Sequence, residues 1–573
     1  ILLGHSFKRI SKYMTKNTQL TAAQVTQHID INALNFETTA NLETFHGVLG
    51  QDRAVNAIQF GVAMQRPGYN IFVMGDTGTG RSSYVRDYLK SEAKRQPTPD
   101  IWCYMNNFKN PREPRALALL PNEASEFRKL INELIDQLLA TFPAALEYPA
   151  YQQKKSAIDY VFNRRYDKAI ESVEREAHKR GVAVYRDSNA ISFTPMREGK
   201  ALDETEFAQL SEEERETFHN DIAELEQMLS DQLSELPQWK RESSNELRSL
   251  NQETIRDAIT PLLAHIRKDF ASHEPVMEYL NEMEEYLPSL VLEELVEERI
   301  MDLREEYAKR SSLEESLLPN IATHHNPDSG APVIYEPHPS YANLFGRIEY
   351  ASEQGALVTN YQRVCPGALH KANGGYLMLD ADKVLSEPLV WEALKRALQS
   401  HELKMDSPYS EMGILNTTSL LPAVIPLEFK LVLIGSRNIY YLLQEYDEDF
   451  KRLFRAVVDF DNDITLTEDH LVAYSQLLKS RVEEQGYSDL DRAAVVRMVR
   501  YSARLAEQQD VLSARVGEQF DLLAEANFIR LMAKDELIQP IHIDRALAAK
   551  QERTGRVYDK LFEQMLDGTV LLE

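Results

Sequence analysis

The chain has 573 residues, too many for a single hydrophobic core, so we expect two to four domains. Its 43% hydrophobic and 27% charged residues are ordinary for a soluble globular protein, and no apolar run is long enough to predict a membrane span. The formal charge of −26 disfavours nucleic acid as a partner, because phosphates would be repelled on average. We therefore expect a cytoplasmic protein without membrane contact, and Met14 is a candidate for its natural start.

An N-terminal segment, residues 1–44, precedes the first α/β part, which is predicted over residues 45–120. Asn70–Met74 is typical of a buried strand, and a glycine-rich turn and a predicted helix over Ser82–Arg95 follow it at once. Asp100–Met105 predicts a second strand. This alternation of strands and helices indicates the beginning of an α/β core.

The glycine-rich turn has the pattern of a phosphate-binding loop (P-loop). Glycines let backbone N–H groups wrap around a phosphate, and the N-terminus of the next helix adds positive potential. Arg81 replaces the usual lysine, and Ser82 would be the hydroxyl ligand of Mg²⁺. The predicted nucleotide-binding residues are Gly75, Asp76, Thr77, Gly78, Thr79, Gly80, Arg81, Ser82 and Ser83. The alternative is a glycine-rich strand–helix turn that binds nothing.

Residues 121–330 are predicted to form a helical insertion. Apolar residues repeat at helical spacing over 127–142, 246–270 and 276–309, and near heptad spacing over 218–236, which predicts packed helices with coiled-coil character. Gly181–Thr194 predicts a small hairpin, because β-prone residues flank Asp187, Ser188 and Asn189. An α/β core tolerates such an insertion because loop length adds little entropic cost.

The second α/β part is predicted over residues 331–464, with candidate strands at Ala331–Tyr335, Leu377–Leu379 and Phe429–Ile434. Four hydrophobic residues end in Asp380, the Walker B pattern that holds Mg²⁺ through water. Nucleotide hydrolases normally carry glutamate next, but here Ala381 stands in that place and Asp382 follows. In a continuing strand, Asp382 would point to the face opposite Ala381. A buried strand with an acidic end is the alternative.

Residues 465–573 are predicted to be helical with short breaks. Together with this helical segment, the sequence patterns described above resemble those of the B-like branch of the Lon protease family. The segments that carry the resemblance are Trp102–Phe108, Pro195–Leu210, Tyr341–Tyr350, Pro366–Gly375 and Trp391–Leu398. The resemblance extends over nearly the whole chain from about residue 20. The resemblance implies an α/β plus all-α fold: an AAA+ P-loop core, interrupted by the helical insertion and followed by a helical lid and the start of a linker.

The resemblance also implies roles for single residues. Gln51, in Leu49–Ala54, would lie in the segment that packs beside the adenine, and Asp380 would position Mg²⁺. Ser436 would be sensor 1, with Asn438 as second candidate. Arg455, with Arg452 as its neighbour, resembles an arginine finger that faces an adjacent subunit, and Arg515 resembles sensor 2. For each arginine alone, a surface or salt-bridging role is the alternative.

The implied function is binding of ATP or ADP with Mg²⁺ in a homo-oligomeric ring, a hexamer by resemblance. That ring would engage unfolded protein substrates for a serine–lysine protease domain. No segment resembles the serine loop of such a protease, so we expect that domain beyond Glu573. Arg81 and Ala381 predict slow hydrolysis, if any. The alternatives are a nucleotide-responsive, hydrolysis-deficient scaffold and an interaction protein without nucleotide.

Overall fold

The computed structural model describes residues 29, 34–45, 47–186, 191–197, 199–292, 303–353, 355–405 and 420–570. Among these, no helix is long and apolar enough to cross a membrane. The helices are α1 (Asp52–Ala63), α2 (Arg81–Ala93), α3 (Glu123–Glu147), α4 (Pro149–Lys179), α5 (Glu204–Ala208), α6 (Glu212–Gln232), α7 (Leu236–Asp269), α8 (Glu274–Val291), α9 (Leu303–Leu317), α10 (Tyr341–Phe345), α11 (Ala368–Ala372), α12 (Ala381–Ser386), α13 (Val390–Ser400), α14 (Arg437–Tyr446), α15 (Phe450–Leu453), α16 (Glu468–Gln485), α17 (Arg492–Leu505), α18 (Val516–Ala533), α19 (Pro540–Thr554) and α20 (Arg556–Leu566).

The strands of the described residues are β1 (Ile71–Met74), β2 (Ile101–Met105), β3 (Arg115–Leu119), β4 (Val182–Arg186), β5 (Ile191–Arg197), β6 (Lys200–Ala201), β7 (Asn320–Ile321), β8 (Val333–Glu336), β9 (Arg347–Ile348), β10 (Ala351–Glu353), β11 (Ala356–Val358), β12 (Val364–Cys365), β13 (Tyr376–Asp380), β14 (Glu402–Leu403), β15 (Ile425–Pro426), β16 (Lys430–Gly435), β17 (Ala456–Asp459), β18 (Asp463–Thr465) and β19 (Val511–Ser513). The chain divides into two compact units. Unit 1 holds residues 1–102, 322–359 and 363–573, and unit 2 holds residues 103–321 and 360–362.

A five-stranded parallel sheet forms the centre of unit 1, in the order β17-β1-β16-β13-β8. Its strands are short apolar runs, and all four residues of β1 are buried, as expected for a parallel sheet covered on both faces. In the register, Met74 pairs with both Gly435 and Asp459, and Asp380 pairs with Ile434. The carboxyl ends of β1, β16, β13 and β17 therefore share one edge. The parallel α/β sheet that the sequence predicted is confirmed.

The helices α16 to α19 enclose a second core within unit 1, with buried residues such as Tyr474, Leu478 and Met498. Leu34 and Phe36, from the N-terminal segment, are buried in the same core. The Thr39 hydroxyl donates a hydrogen bond of 2.6 Å to the Asp489 carboxylate. This docking of the N-terminal segment was not foreseen, because two apolar residues in a polar stretch carry no periodic signal.

Unit 2 is mainly helical, and α7 packs against α3, α4 and α8. We expected the strand over 100–105 to belong to the same α/β part as β1. Instead β2 lies in a separate three-stranded sheet of order β3-β2-β7, and the unit boundary follows Trp102. A strand's own sequence predicts its conformation but not its partner, which explains the difference.

The residues with near-heptad spacing lie in α6 as far as Leu229, Leu233 caps that helix, and Leu236 begins α7. Helix α6 ends at Gln232 and α7 begins at Leu236, with Pro237 in its first turn. Proline is favoured at a helix start but cannot continue a helix from the preceding turn, so Pro237 explains the break. Leu225 of α6 packs in a small core with Val173, Ala177 and Val182.

The predicted hairpin is present as β4 and β5, which pair antiparallel from Val182–Pro195 to Arg186–Ile191. Its expected turn residues, Asp187, Ser188 and Asn189, lie outside the described residues, as do residues 293–302 of the last predicted amphipathic stretch.

Tyr279 of α8 is fully buried, and its hydroxyl has no hydrogen-bond partner among the described residues. Its ring stacks on Phe108 at 5.6 Å, as does Tyr286 at 5.3 Å, but Tyr286 is 40% exposed. Removing a buried unsatisfied hydroxyl while keeping the ring should stabilise the fold. We predict that Tyr279→Phe raises the free energy of unfolding of unit 2 by about 1 kcal/mol in urea titrations. The matched variant Tyr286→Phe should change it little, and destabilisation by Tyr279→Phe would contradict the prediction.

Candidate nucleotide-binding site

The P-loop leaves β1 at its carboxyl end and leads directly into α2. Gly78 and Gly80 have φ values of 87° and 78°, a conformation that glycine adopts without strain. Thr79 is buried, and its hydroxyl donates a hydrogen bond of 2.9 Å to the Asp76 carbonyl. The loop therefore turns at two left-handed glycines, Gly78 and Gly80.

A cavity of about 1040 Å³ lies between the P-loop and the helical core of unit 1. Its walls combine P-loop residues 77–83 with apolar side chains, among them Val48, Leu49, Ile464 and Phe520. The backbone N–H of Gly517, in the first turn of α18, donates a hydrogen bond of 3.1 Å to the Gly78 carbonyl. The helical core thus touches the P-loop directly at one side of this cavity.

Gln51 lines the same cavity, but its polar atoms are already used. The side-chain amide donates 3.0 Å to the Asp461 carbonyl, and its oxygen accepts 2.8 Å from the Asp461 N–H. Gln51 therefore fixes the loop that follows β17 and forms part of the cavity wall.

Arg81 points back across the sheet edge. Its guanidinium donates hydrogen bonds to the carbonyls of Gly75 and, at 2.6 Å, Gly435. Burial lowers the pKa of Arg81, while the carboxylates of Asp382 and Asp380 act in the opposite direction. The guanidinium thus connects the ends of β1 and β16, in a place that a phosphate group could also reach.

Asp380 lies at the end of β13, and its oxygen Oδ2 receives two donors. The Tyr335 hydroxyl donates at 2.9 Å, and the Lys383 ammonium lies 2.9 Å away. Ala381 is buried and begins α12. Our expectation that Asp382 would point to the face opposite Ala381 assumed a continuing strand, but the strand ends at Asp380. Asp382 is exposed, and its charge acts on Arg81 more strongly than that of Asp380.

Ser82 and Asp380 fit Mg²⁺ by donor type, since this ion prefers hydroxyl, carboxylate and phosphate oxygens. Ser82 is exposed in the cavity wall, and Asp380 is at the same sheet edge. Asp380 is the less available of the two, because Oδ2 already accepts from Tyr335 and Lys383.

Sequence reasoning missed Arg437, which links three strand ends. Its guanidinium lies 2.9 Å from the Asp459 carboxylate and 3.6 Å from Asp76, and it donates 3.2 Å to the Asn462 side chain. The Asn462 amide in turn donates 2.8 Å to Asp76. A lone arginine after a strand carries no signal for such a cluster. The predicted neighbour, Ser436, caps α14 by accepting 3.3 Å from the Ile439 N–H.

The other predicted arginines do not reach the cavity in their own chain. Arg455 directly precedes β17, at the amino ends of the strands, whereas the P-loop lies at their carboxyl ends. Its guanidinium lies 5.6 Å from the Tyr69 ring centre. Arg515 donates 3.1 Å to the Leu505 carbonyl and lies 3.6 Å from Glu518, outside the cavity lining.

Arg481, on α16, lines the cavity instead and was also missed. Its guanidinium lies 5.0 Å from the centre of the Phe520 ring, a cation–π distance. Its Nε is buried and has no hydrogen-bond partner among the described residues. The cavity therefore has one cation from the P-loop, Arg81, and one from the helical core.

Comparison with protein families agrees with this arrangement. Residues 329–461 match the LonB-like AAA domain, and residues 489–553 match the archaeal LonB AAA+ ATPase LID domain. Residues 101–134 match the Lon-like LonC helical domain. These matched segments resemble domains of LonB-like and LonC-like members of the Lon protease family. The first match contains Asp380 and Ser436, and the second contains Arg515; the P-loop lies outside all three.

The chain is 25% identical over 236 residues to a putative Lon protease homolog of Haemophilus influenzae. The alignment covers 40% of this chain and 36% of that protein, so the chain spans about a third of its relative. A solved RuvB mutant of Thermotoga maritima is 14% identical, with a TM-score of 0.19, over 31% of this chain and 45% of the other. NtrX from Brucella abortus is 13% identical, with a TM-score of 0.24, over 41% and 47%.

His370 precedes the Walker B strand and is fully buried in α11, where its Nδ1 accepts 3.2 Å from the Gly367 N–H. Burial lowers the pKa of His370 to about 3, against about 6.5 in an unfolded chain. The unfolded state therefore takes up a proton below pH ~6.5 that the folded state refuses, so stability falls as the pH falls.

We predict that unit 1 loses about 2 kcal/mol between pH 7 and pH 5 through His370 alone. His370→Asn, which keeps a hydrogen-bond acceptor, should reduce the slope of unfolding free energy against pH, whatever it costs at pH 7. The exposed His338→Asn is the control. Equal slopes in all three proteins, measured by denaturant titration, would show that His370 does not stay neutral.

Proposed function

We propose that this chain is the AAA+ nucleotide-binding module of a Lon-type ATP-dependent protease. The observation that carries the proposal is the cavity between the P-loop and the helical core, at the carboxyl edge of the parallel sheet. Parallel α/β sheets bind ligands at this edge. Family matches to an AAA domain and its LID domain support the same function.

Phosphate binding would use the P-loop N–H groups together with Arg81. The guanidinium would exchange its carbonyl partners at Gly75 and Gly435 for phosphate oxygens, a stronger charge-assisted contact. Ser82 and Asp380 would hold Mg²⁺, which when bound offsets phosphate charge. The apolar wall around Leu49 and Ile464 offers a surface for the base.

Hydrolysis by this site should be slow. A base that orients the attacking water normally follows the Walker B acid, and the buried methyl group of Ala381 cannot serve. Ser436 at the end of β16 can orient a phosphate or water but is a poor base at neutral pH. Binding and release of nucleotide would then be the main events.

In the assembled protein, we propose a homo-oligomeric ring, with six subunits as resemblance implies. The position of Arg455 at the far sheet edge supports a role toward a neighbouring subunit rather than its own cavity. The helical residues 121–330 would admit unfolded protein substrates, and residues 465–573 would act as the lid. The peptide bond would be cut by a serine–lysine protease domain outside these 573 residues.

Replacement of Arg81 tests the proposal. We predict that Arg81→Ala weakens ADP binding about tenfold or more in calorimetry, because it removes a charged hydrogen bond to phosphate. Arg81→Lys should retain ADP binding. Arg95→Ala, which removes an exposed arginine, is the control. Phosphate release should be slow in the wild type. Rapid turnover that Arg81→Ala abolishes would contradict slow hydrolysis, and no ADP binding at millimolar concentration would refute the proposal itself.

The lid arginines give a second test. Both arginines are ion-paired, Arg481 with Glu484 at 3.3 Å and Arg515 with Glu518 at 3.6 Å, but only Arg481 lines the cavity, so we predict different effects. Arg481→Ala should weaken ADP binding by about fivefold or more, the value of a partly exposed charged contact, and Arg515→Ala by less. The reverse order, with both variants folded by circular dichroism, would assign the lid contact to Arg515.

A further inference from the structure

The carboxylate of Asp380 is held from the side of β8, the edge strand. Tyr335, on β8, donates its hydroxyl to Oδ2 at 2.9 Å. Lys383, in the first turn of α12, places its ammonium 2.9 Å from the same oxygen. That ammonium also donates 2.9 Å to the carbonyl of Pro337, just beyond β8. Two groups therefore hold Asp380 on one side, and Pro337 binds one of them, while the P-loop lies on the other side, beyond β16.

A lysine ammonium and a metal ion compete for the same lone pairs of the Asp380 carboxylate oxygens. The Lys383 ammonium already lies against the Asp380 oxygen that a metal ion would use. Mg²⁺ binds one or two carboxylates together with phosphate oxygens, and it needs them at close to octahedral positions. An Asp380 that already carries its own cation offers less charge and fewer lone pairs to the ion.

The cavity also supplies cations of its own for phosphate. Arg81 enters from the P-loop and Arg481 from the helical core. Arg437 lies at the same sheet edge but outside the cavity lining, paired with Asp459 and 3.6 Å from Asp76. Guanidinium groups pair with phosphate through parallel hydrogen bonds and remain charged at any physiological pH. Phosphate charge can therefore be offset with little help from a metal.

We propose that Lys383 is an internal competitor of Mg²⁺ for Asp380, so that nucleotide binding by this chain depends little on Mg²⁺. The inference rests on the proposed nucleotide binding. Metal would add to affinity only when Lys383 releases the carboxylate, and the release costs the ion pair and the contact with Pro337. Removing the lysine charge should therefore make nucleotide binding more dependent on Mg²⁺.

The test measures the affinity of the full chain for a fluorescent N-methylanthraniloyl derivative of ADP by anisotropy. Each protein is titrated in millimolar Mg²⁺ and in EDTA, and the ratio of the two dissociation constants is the readout. For the wild type we expect a ratio within about twofold of one. For Lys383→Met we expect the ratio to rise about fivefold, since a half-exposed ion pair is a modest competitor.

Three variants control the measurement. Lys404→Met removes another exposed lysine that is paired with a carboxylate, Glu402 at 3.5 Å, away from the cavity lining, and should leave the ratio unchanged. Lys383→Arg keeps a charge beside Asp380 and should stay close to the wild type. Tyr335→Phe removes the other donor and should raise the ratio slightly.

The outcomes separate the two proposals. If no protein binds the ADP derivative in either buffer, the proposed function fails and this inference fails with it. If the wild type binds in Mg²⁺ but about tenfold or more weakly in EDTA, nucleotide binding stands and the inference is overturned. The inference is also overturned if Lys383→Met and Lys404→Met give the same ratio.

Discussion

Strand β16 lies between β1 and β13 and sets the register on which the whole site depends. Met74 and Asp380 are held opposite Gly435 and Ile434, so the P-loop and the Walker B acid meet at one edge with a single strand between them. Arg81 uses that strand as its anchor, because one of its hydrogen bonds ends on the Gly435 carbonyl. A slip of β16 by one residue would turn its side chains to the opposite faces of the sheet.

The same strand end explains how alanine comes to follow Asp380. A Cβ atom on Gly435 would lie 3.0 Å from the Ala381 Cβ and 2.9 Å from the Phe72 ring. Two of the smallest residues thus face each other where β16 ends and α12 begins, and Ala381 is buried there. A glutamate at position 381 would have to leave this contact to reach water. The tight packing at this edge therefore helps to explain why the usual glutamate base is absent at position 381.

Charge at this edge is largely balanced inside the chain. Arg81 lies among the carboxylates of Asp382, Asp380 and Asp76, and Lys383 is paired with Asp380. Such pairing keeps buried and half-buried charges tolerable when no nucleotide is present. It also means that a phosphate group must exchange partners with groups that are already satisfied. We infer that the site is arranged to hold nucleotide by substitution of contacts, which suits binding better than rapid turnover.

The parts of the site that could be predicted are those written in local sequence. Gly78 and Gly80 need positive φ values, β1 and β13 are short apolar runs, and both signals lie within a few residues. The contacts of Arg437 with Asp76 and of Arg481 with Phe520 could not be predicted in this way, because each depends on which distant residue the fold brings near. Arg437 meets Asp76 only because β1 pairs with both β16 and β17, and Arg481 faces the cavity only because the helical core docks at Gly78. The direction of the Asp382 side chain depends on where β13 ends. Because the strand ends at Asp380 and a helix begins, every side chain that follows points in a different direction from the one it would have in a longer strand. The glycine-rich loop is thus determined locally, while the cations that would complete a nucleotide site around it are determined by strand order and helix docking.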